Sequence, residues 1–217
     1  MKILLIADCE EDALWGGWTE RSGETLSDVS LVLSAGDLDP DYLEFLVTML
    51  NVPLVYVRGN HDGRYDSRPP EGCIDADGRI VEAAGLRILG IGGSMRYRPG
   101  APDMYTEGEM RRRLVSVSGR VMAGRLRGRD GFDILLTHAP CRGYGDLDDL
   151  PHTGFECFNS LLERCRPRLH CYGHVHREYG GFRRKIEHPS GTELINASGH
   201  FIYDLRIQES DSEEQTK

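Results

Sequence analysis

Polar side chains able to hold a metal stand at five separate places along the chain. They are Asp8 and Glu10, then Asp37, then Asn60 and His61, then His138, then His174 and His176. Carboxylates, an amide oxygen and imidazoles are the donors that divalent cations take in hydrolytic centres. Any one of these residues alone reads more simply as a helix cap, a turn residue or a satisfied histidine. Their joint pattern does not. Each group follows a short apolar run, and glycine precedes the polar residue in Gly36-Asp37, Gly59-Asn60 and Gly173-His174. Glycine allows the tight bends that aim the next side chain back over the end of a strand.

The elements that must position these residues follow from the apolar runs. The sequence predicts strands at Lys2–Ala7, Ser30–Ser34, Val52–Val57, Arg87–Ile91, Phe132–Leu136, Arg168–Tyr172, Glu193–Ala197 and Phe201–Ile207. Runs this continuous suit strands covered on both faces. Asp39-Pro40 starts a helix whose Tyr42, Phe45, Leu46, Met49 and Leu50 keep helical spacing. Phe155, Phe158, Leu161, Leu162 and Cys165 mark a second helix, stopped by Pro167. Thr106-Glu107-Gly108-Glu109 resembles a capping box and opens a third, running to about Arg120. A short helix is expected around Thr19–Asp28. Strand–helix alternation gives an α/β layered fold, whose sites form beyond the carboxyl ends of strands.

Composition narrows the function further. The chain has 217 residues, 39% of them hydrophobic, and a formal net charge of −9. That supports one packed core and argues against a generally basic nucleic-acid binder. Residues 1–207 are expected to form a single domain. Residues 208–217, with four acids and one lysine, are expected to be a disordered acidic tail. No apolar run reaches the ~18 residues a membrane span needs, and the first apolar stretch is too short for a secretory signal. The six cysteines contain no C-x-x-C pair, so free thiols in the cytoplasm are expected.

The ordered motifs resemble those of the calcineurin-like metallophosphoesterase superfamily, small bacterial type. That pattern is Asp-x-His, Gly-Asp, Gly-Asn-His-(Asp/Glu), a single His, and Gly-His-x-His. Here stand Asp8-Cys9-Glu10, Gly36-Asp37, Gly59-Asn60-His61-Asp62, His138 and Gly173-His174-Val175-His176. The resemblance spans residues 2 to about 207. It implies two packed mixed β-sheets flanked by helices. It also implies two divalent ions; the hard oxygen ligand that Glu10 offers makes manganese the first choice, with iron, zinc, magnesium or nickel as alternatives. The first would have Asp8, Glu10, Asp37 and His176; the second Asp37, Asn60, His138 and His174. The implied reaction is hydrolysis of a phosphodiester or small phosphomonoester by a hydroxide shared by the two metals, with His61 protonating the leaving oxygen.

Two positions depart from the pattern. Glu10 replaces the first-motif histidine, so the pair of metals would carry one positive charge fewer. That weakens phosphate attraction and raises the pKa of a bound water. Pro40 stands where the family has the aspartate that orients the leaving-group histidine, leaving Asp39 or Asp62 as candidates. These departures motivate an alternative, a binding or scaffold module with little turnover. Arg58 and Arg96 are candidate substrate-binding residues; Arg98 reads more simply as a solvated arginine. Seven arginines between positions 111 and 129 suggest a nuclease as a further alternative, though helical spacing scatters them. The expected partner is a small phosphoester, with no nucleic acid or membrane, and the oligomeric state is open.

Overall fold

A computed structural model describes residues 1–15, 26–125 and 131–205. Most of the expected Thr19–Asp28 helix and the expected 208–217 tail lie outside these residues; Leu26–Asp28 forms one 3-10 turn.

Strands β1 (Lys2–Ala7), β2 (Val29–Ser34), β3 (Leu54–Tyr56) and β4 (Ile74–Asp75) run parallel in that order. Strand β13 (Gly199–Asp204) adds antiparallel to β1 and completes a five-stranded sheet. The second sheet has six strands. Its centre is parallel: β6 (Leu86–Ile91), β9 (Ile134–Thr137), β10 (Leu169–Tyr172) and β12 (Glu193–Asn196). Its antiparallel edges are β5 (Arg79–Ala83) and β11 (Lys185–Glu187). A small parallel pair joins β7 (Ser94–Met95) and β8 (Met104–Tyr105).

Side-chain alternation explains the layering. Ile3, Leu5, Leu31, Leu33 and Val55 of the first sheet meet Ile88, Ile134, Leu136, Leu169 and Ile195 of the second in one core. The opposite side chains of β1, β2 and β3 include Leu4, Ile6, Val32 and Leu54. They pack on Tyr42, Leu43 and Leu46 of α2 (Pro40–Leu50). Leu89, Leu135 and Leu194 of the second sheet pack on Met110 and Leu114 of α3 (Glu107–Arg125) and on Phe158 and Leu162 of α4 (Glu156–Cys165). The order is therefore helix, sheet, sheet, helix. Each central strand is apolar on both faces, which is why the sequence showed unbroken runs. A fourth helix, α1 (Asp12–Trp15), is one turn long.

The helix starts follow local chemistry. Asp39 caps α2 by accepting the Asp41 N–H at 2.9 Å, with Pro40 at the first helical position. At α3 the Glu109 carboxylate accepts the Thr106 N–H at 2.8 Å, and the Thr106 hydroxyl accepts the Glu109 N–H at 3.3 Å. Helix α4 lacks a side-chain cap of its own. Glu107 of α3 supplies one, accepting the N–H groups of Glu156 and Cys157 at 3.0 and 2.9 Å.

The expected Val52–Val57 strand is shorter, at Leu54–Tyr56. Pro53 has no N–H for a ladder, although its carbonyl accepts the Val32 N–H. Strands β5 and β11 were not legible, because edge strands are half exposed and carry charge. The six cysteines are free thiols. Among the described residues no helix is long and apolar enough to cross a membrane.

Candidate metal centre

The parallel strands end on one edge of the sandwich, and the polar residues follow those ends. Asp8 follows β1, Asp37 follows β2, and Asn60 and His61 follow β3. His138 follows β9, and His174 and His176 follow β10. Asp8, Asp37, Asn60, His61, His174 and His176 line one cavity of about 500 Å³. His138 is fully buried beside it. Among the described residues, Asp37, His138 and His174 each offer a ligand atom, all within 4.8 Å of one another.

Backbone geometry aims these side chains. Asp8, Asp37 and His174 all take left-handed conformations, with φ of 66°, 57° and 70°. Such conformations cost roughly 1–3 kcal/mol each and persist only where surrounding contacts fix them. The contacts are present. Both Asp8 oxygens accept the His174 N–H, at 2.9 and 3.0 Å. The Asp8 N–H donates to the Gly36 carbonyl at 3.1 Å. Asp62 accepts the N–H groups of Gly59 and Asp37 at 2.7 and 2.8 Å. The His61 N–H donates to Asp37 Oδ1 at 2.8 Å.

The two buried histidines of the cluster, His138 and His174, each spend one ring nitrogen on a backbone carbonyl. His138 Nδ1 lies 2.7 Å from the Ala35 oxygen, and His174 Nε2 lies 2.8 Å from the Pro151 oxygen. A carbonyl only accepts, so those nitrogens carry the protons. In a neutral ring the other nitrogen keeps its lone pair, the arrangement that metal-ligating histidines use. His138 Nε2 then faces Asn60 Oδ1 at 3.1 Å and Asp37 Oδ2 at 3.4 Å. Two imidazoles, carboxylates and an amide oxygen in one place fit a divalent cation of the first transition row.

Charge is concentrated here. Burial opposes charge on Asp37, but the His138 imidazolium and hydrogen bonds outweigh it and hold the carboxyl well below its usual range. Burial likewise opposes charge on His138, yet the Asp37 carboxylate raises that imidazole to about 9. Burial, with His138 close by, pushes His174 down to about 3. Burial, followed by the Asp37 charge, pushes Asp62 up to about 6, and burial raises Asp8. In the metal-free protein His138 thus holds its proton up to about pH 9. A cation on Nε2 must displace that proton. Manganese affinity is therefore expected to rise with pH, by up to about tenfold per unit, until His138 has titrated. Calorimetry in buffers of different ionisation enthalpy measures the proton released. Affinity independent of pH, with no proton release, would contradict the pairing.

The remaining candidates lie elsewhere. Glu10 is exposed, and its carboxylate accepts the Asp39 N–H at 3.2 Å, at the start of α2. Arg58 pairs with Asp66, and Arg96 pairs with Glu109 and donates to the Met104 carbonyl. Arg98 is exposed, as the sequence reading has it, and it also lines the cavity. Neither candidate carboxylate orients the His61 ring: Asp39 caps α2 and pairs with Arg64, and Asp62 holds backbone N–H groups. Of the seven arginines, Arg111 pairs with Glu107 and Arg113 with Asp77. Three further residues line the cavity, His152, Tyr97 and Tyr179, and for the two tyrosines the sequence carries no signal of it.

The family model for calcineurin-like phosphoesterases matches residues 1–178. The chain belongs to that family. A 74-residue stretch, 32% of this chain, is 43% identical to metallophosphoesterase domain-containing protein 1 of Homo sapiens and covers 21% of that protein. An uncharacterized protein of Methanocaldococcus jannaschii is 25% identical over 141 residues, covering 61% of this chain and 58% of the relative. The chain thus matches less than two thirds of either relative's length. One solved structure aligns with a TM-score of 0.63 at 13% identity, over 91% of this chain and 90% of its own. Another, from Thermus thermophilus, aligns at 0.60 and 14%, over 91% and 89%. At these identities the structures share the calcineurin-like phosphoesterase fold.

Proposed function

We propose that this calcineurin-like phosphoesterase hydrolyses a phosphodiester or small phosphomonoester with two divalent cations, manganese first among them. The observation that carries the reading is the convergence of Asp37, His138 and His174 at one cavity with Asp8, Asn60 and His176. Asp37, Asn60, His138 and His174 would hold one cation. Asp8, Asp37 and His176 would hold the other, with Glu10 joining if it leaves Asp39. When bound, the cations supply Lewis-acid charge for phosphoryl oxygens and a water acidic enough to attack phosphorus.

The protein's own residues do the rest. Arg98 lines the cavity from an exposed position, with its guanidinium over the Tyr97 ring at 5.4 Å, and among the described residues no carboxylate neutralises it, so it can hold a phosphoryl oxygen. His61 lines the same cavity, and its N–H is anchored on Asp37 Oδ1, which fixes where its ring can reach. From there it can pass a proton to the departing oxygen. A single domain over residues 1–207 would work in the cytoplasm on a small-molecule ester.

The test is elemental analysis of purified protein, followed by assays of bis(4-nitrophenyl) phosphate and 4-nitrophenyl phosphate with added manganese. Two ions per chain with turnover of either ester supports the reading. One observation favours a second reading, a module with little turnover: Glu10 is spent on Asp39 rather than turned to the cavity. One ion or none, with no turnover, would establish it. Restoring a histidine discriminates from the other side. Glu10→His is expected to keep or raise turnover, because it returns a positive charge to the pair of cations. A large drop would show that the carboxylate itself is needed.

A further inference from the structure

The loop between β9 and α4 holds no proposed ligand beyond His138 at its start, yet one of its carbonyls orients another. Its two legs are joined. The Arg142 N–H donates to the Phe155 carbonyl at 3.2 Å, and the Phe155 N–H to the Pro140 carbonyl at 3.1 Å. Residues 143–154 therefore form a compact surface loop whose ends lie together. Pro151, near its far end, lines the cavity, and its carbonyl accepts the His174 Nε2–H at 2.8 Å. The Asp8 oxygens hold the main-chain N–H of His174, not its ring. The Pro151 carbonyl fixes the ring.

Asp146 closes this loop. Its Oδ1 accepts the Gly143 N–H at 2.8 Å and its Oδ2 accepts the Gly154 N–H at 3.1 Å. One carboxylate, with its side chain 9% exposed, thus ties the first residue of the loop to the last. Asp146 itself stands outside the cavity lining. Further bonds shape the tip. The Leu147 N–H donates to the His152 carbonyl at 3.2 Å, Asp149 accepts the His152 N–H at 2.9 Å, and the Thr153 hydroxyl donates to the Asp149 carbonyl at 2.8 Å. Asp148 carries the same charge in the same loop, but it is exposed, and among the described residues its carboxylate has no hydrogen-bond or ion-pair partner.

We propose that Asp146 is a positioning residue for the metal centre: by tying Gly143 to Gly154 it keeps the Pro151 carbonyl on the His174 Nε2–H, which leaves His174 Nδ1 aimed at the cation. The inference deepens the hydrolase reading and rests on His174 being a ligand. Partners of this kind, bonded to the far nitrogen of a ligating histidine, set ring orientation and are worth roughly 10–100-fold in metal affinity.

Two ring protons give a readout inside one molecule. In metal-free protein labelled with nitrogen-15 in its histidines, the His174 Nε2–H and the His138 Nδ1–H are each expected to exchange slowly with water, because each is bound to a buried carbonyl. A His174→Gln variant assigns the first signal by its absence. Asp146→Ala is expected to abolish the His174 signal, spare the His138 signal, and weaken manganese binding about 10-fold or more by calorimetry. Asp148→Ala removes an equal charge and is expected to change neither signal nor affinity. Asp146→Asn keeps one acceptor oxygen and is expected to fall between the two. A His174 signal that survives in Asp146→Ala overturns the proposal. So does its absence from the native chain, or an equal loss of affinity in Asp148→Ala. Loss of both ring signals in Asp146→Ala would mean general unfolding, and Asp146→Asn then decides: faster exchange at His174 alone supports the proposal, and native exchange overturns it. Turnover of bis(4-nitrophenyl) phosphate by the native chain reads the hydrolase separately. Turnover with an unaltered His174 signal in Asp146→Ala removes this inference alone, and the expected signals without turnover remove the hydrolase reading alone.

Discussion

Replacing Asp37 with asparagine is expected to cost at least one cation per chain and ~10³-fold or more in turnover. Asp37 is the carboxylate on which the centre closes. One oxygen accepts the His61 N–H at 2.8 Å and the other lies 3.4 Å from His138 Nε2. Asparagine is the informative change. It tolerates the left-handed backbone that Asp37 adopts, at φ 57°, and it keeps an acceptor for His61. What it loses is the charge. Lewis-acid stabilisation of a phosphoryl transition state amounts to several kcal/mol, hence the size of the drop. His138 loses its counter-charge in the same step, and its imidazole falls from about 9 toward the neutral form. Elemental analysis and steady-state kinetics on the folded variant measure both. Full metal content with near-normal turnover would remove Asp37 from the centre.

Gly59→Ala should be nearly as damaging, although it adds one methyl group and no charge. A Cβ on Gly59 would stand 2.0 Å from Asp37 Oδ1 and 2.7 Å from His138 Cε1. Both side chains are confined, His138 by the Ala35 carbonyl and Asp37 by the His61 N–H. Neither can step aside without leaving the cluster. Overpacking of this kind costs roughly 1–3 kcal/mol of stability, which a folded protein of this size can survive. The function cannot, because small displacements of ligands are enough to disperse a cation site. Gly63→Ala is the control. It lies four residues on, and the nearest atom to its Cβ would be Pro102 Cγ at 3.8 Å. Loss of metal binding in Gly59→Ala with normal binding in Gly63→Ala is the expected pair of results. Normal metal content in both would mean that the loop relaxes and that the close approach is unimportant.

The α/β layering was legible because the central strands are buried on both faces, whereas the pairing of two sheets followed only from the family resemblance. Leu4 and Ile6 face α2 while Ile3 and Leu5 face the opposite sheet, so the run from Ile3 to Ala7 has no polar break. The polar residues after such runs stood out for the same reason. What the chain hid were decisions made across space. Nothing near residue 10 says that its carboxylate will meet the N–H of Asp39. Arg96 and Arg98 are two apart and equivalent by type, but Glu109 engages only the first and leaves the second for the cavity. Glu107 capping a helix that starts 49 residues later is equally silent in the one-dimensional record.

Asp8 reaches from the first sheet to the backbone N–H of His174 in the second, and His138 reaches back to the Ala35 carbonyl. The candidate ligands are thus divided between the two halves of the sandwich, like teeth on opposite jaws. An ion held there acts as a rivet through that edge. Cation occupancy and the alignment of the jaws then become a single equilibrium, in which prying the sheets apart empties the centre and filling it locks them shut.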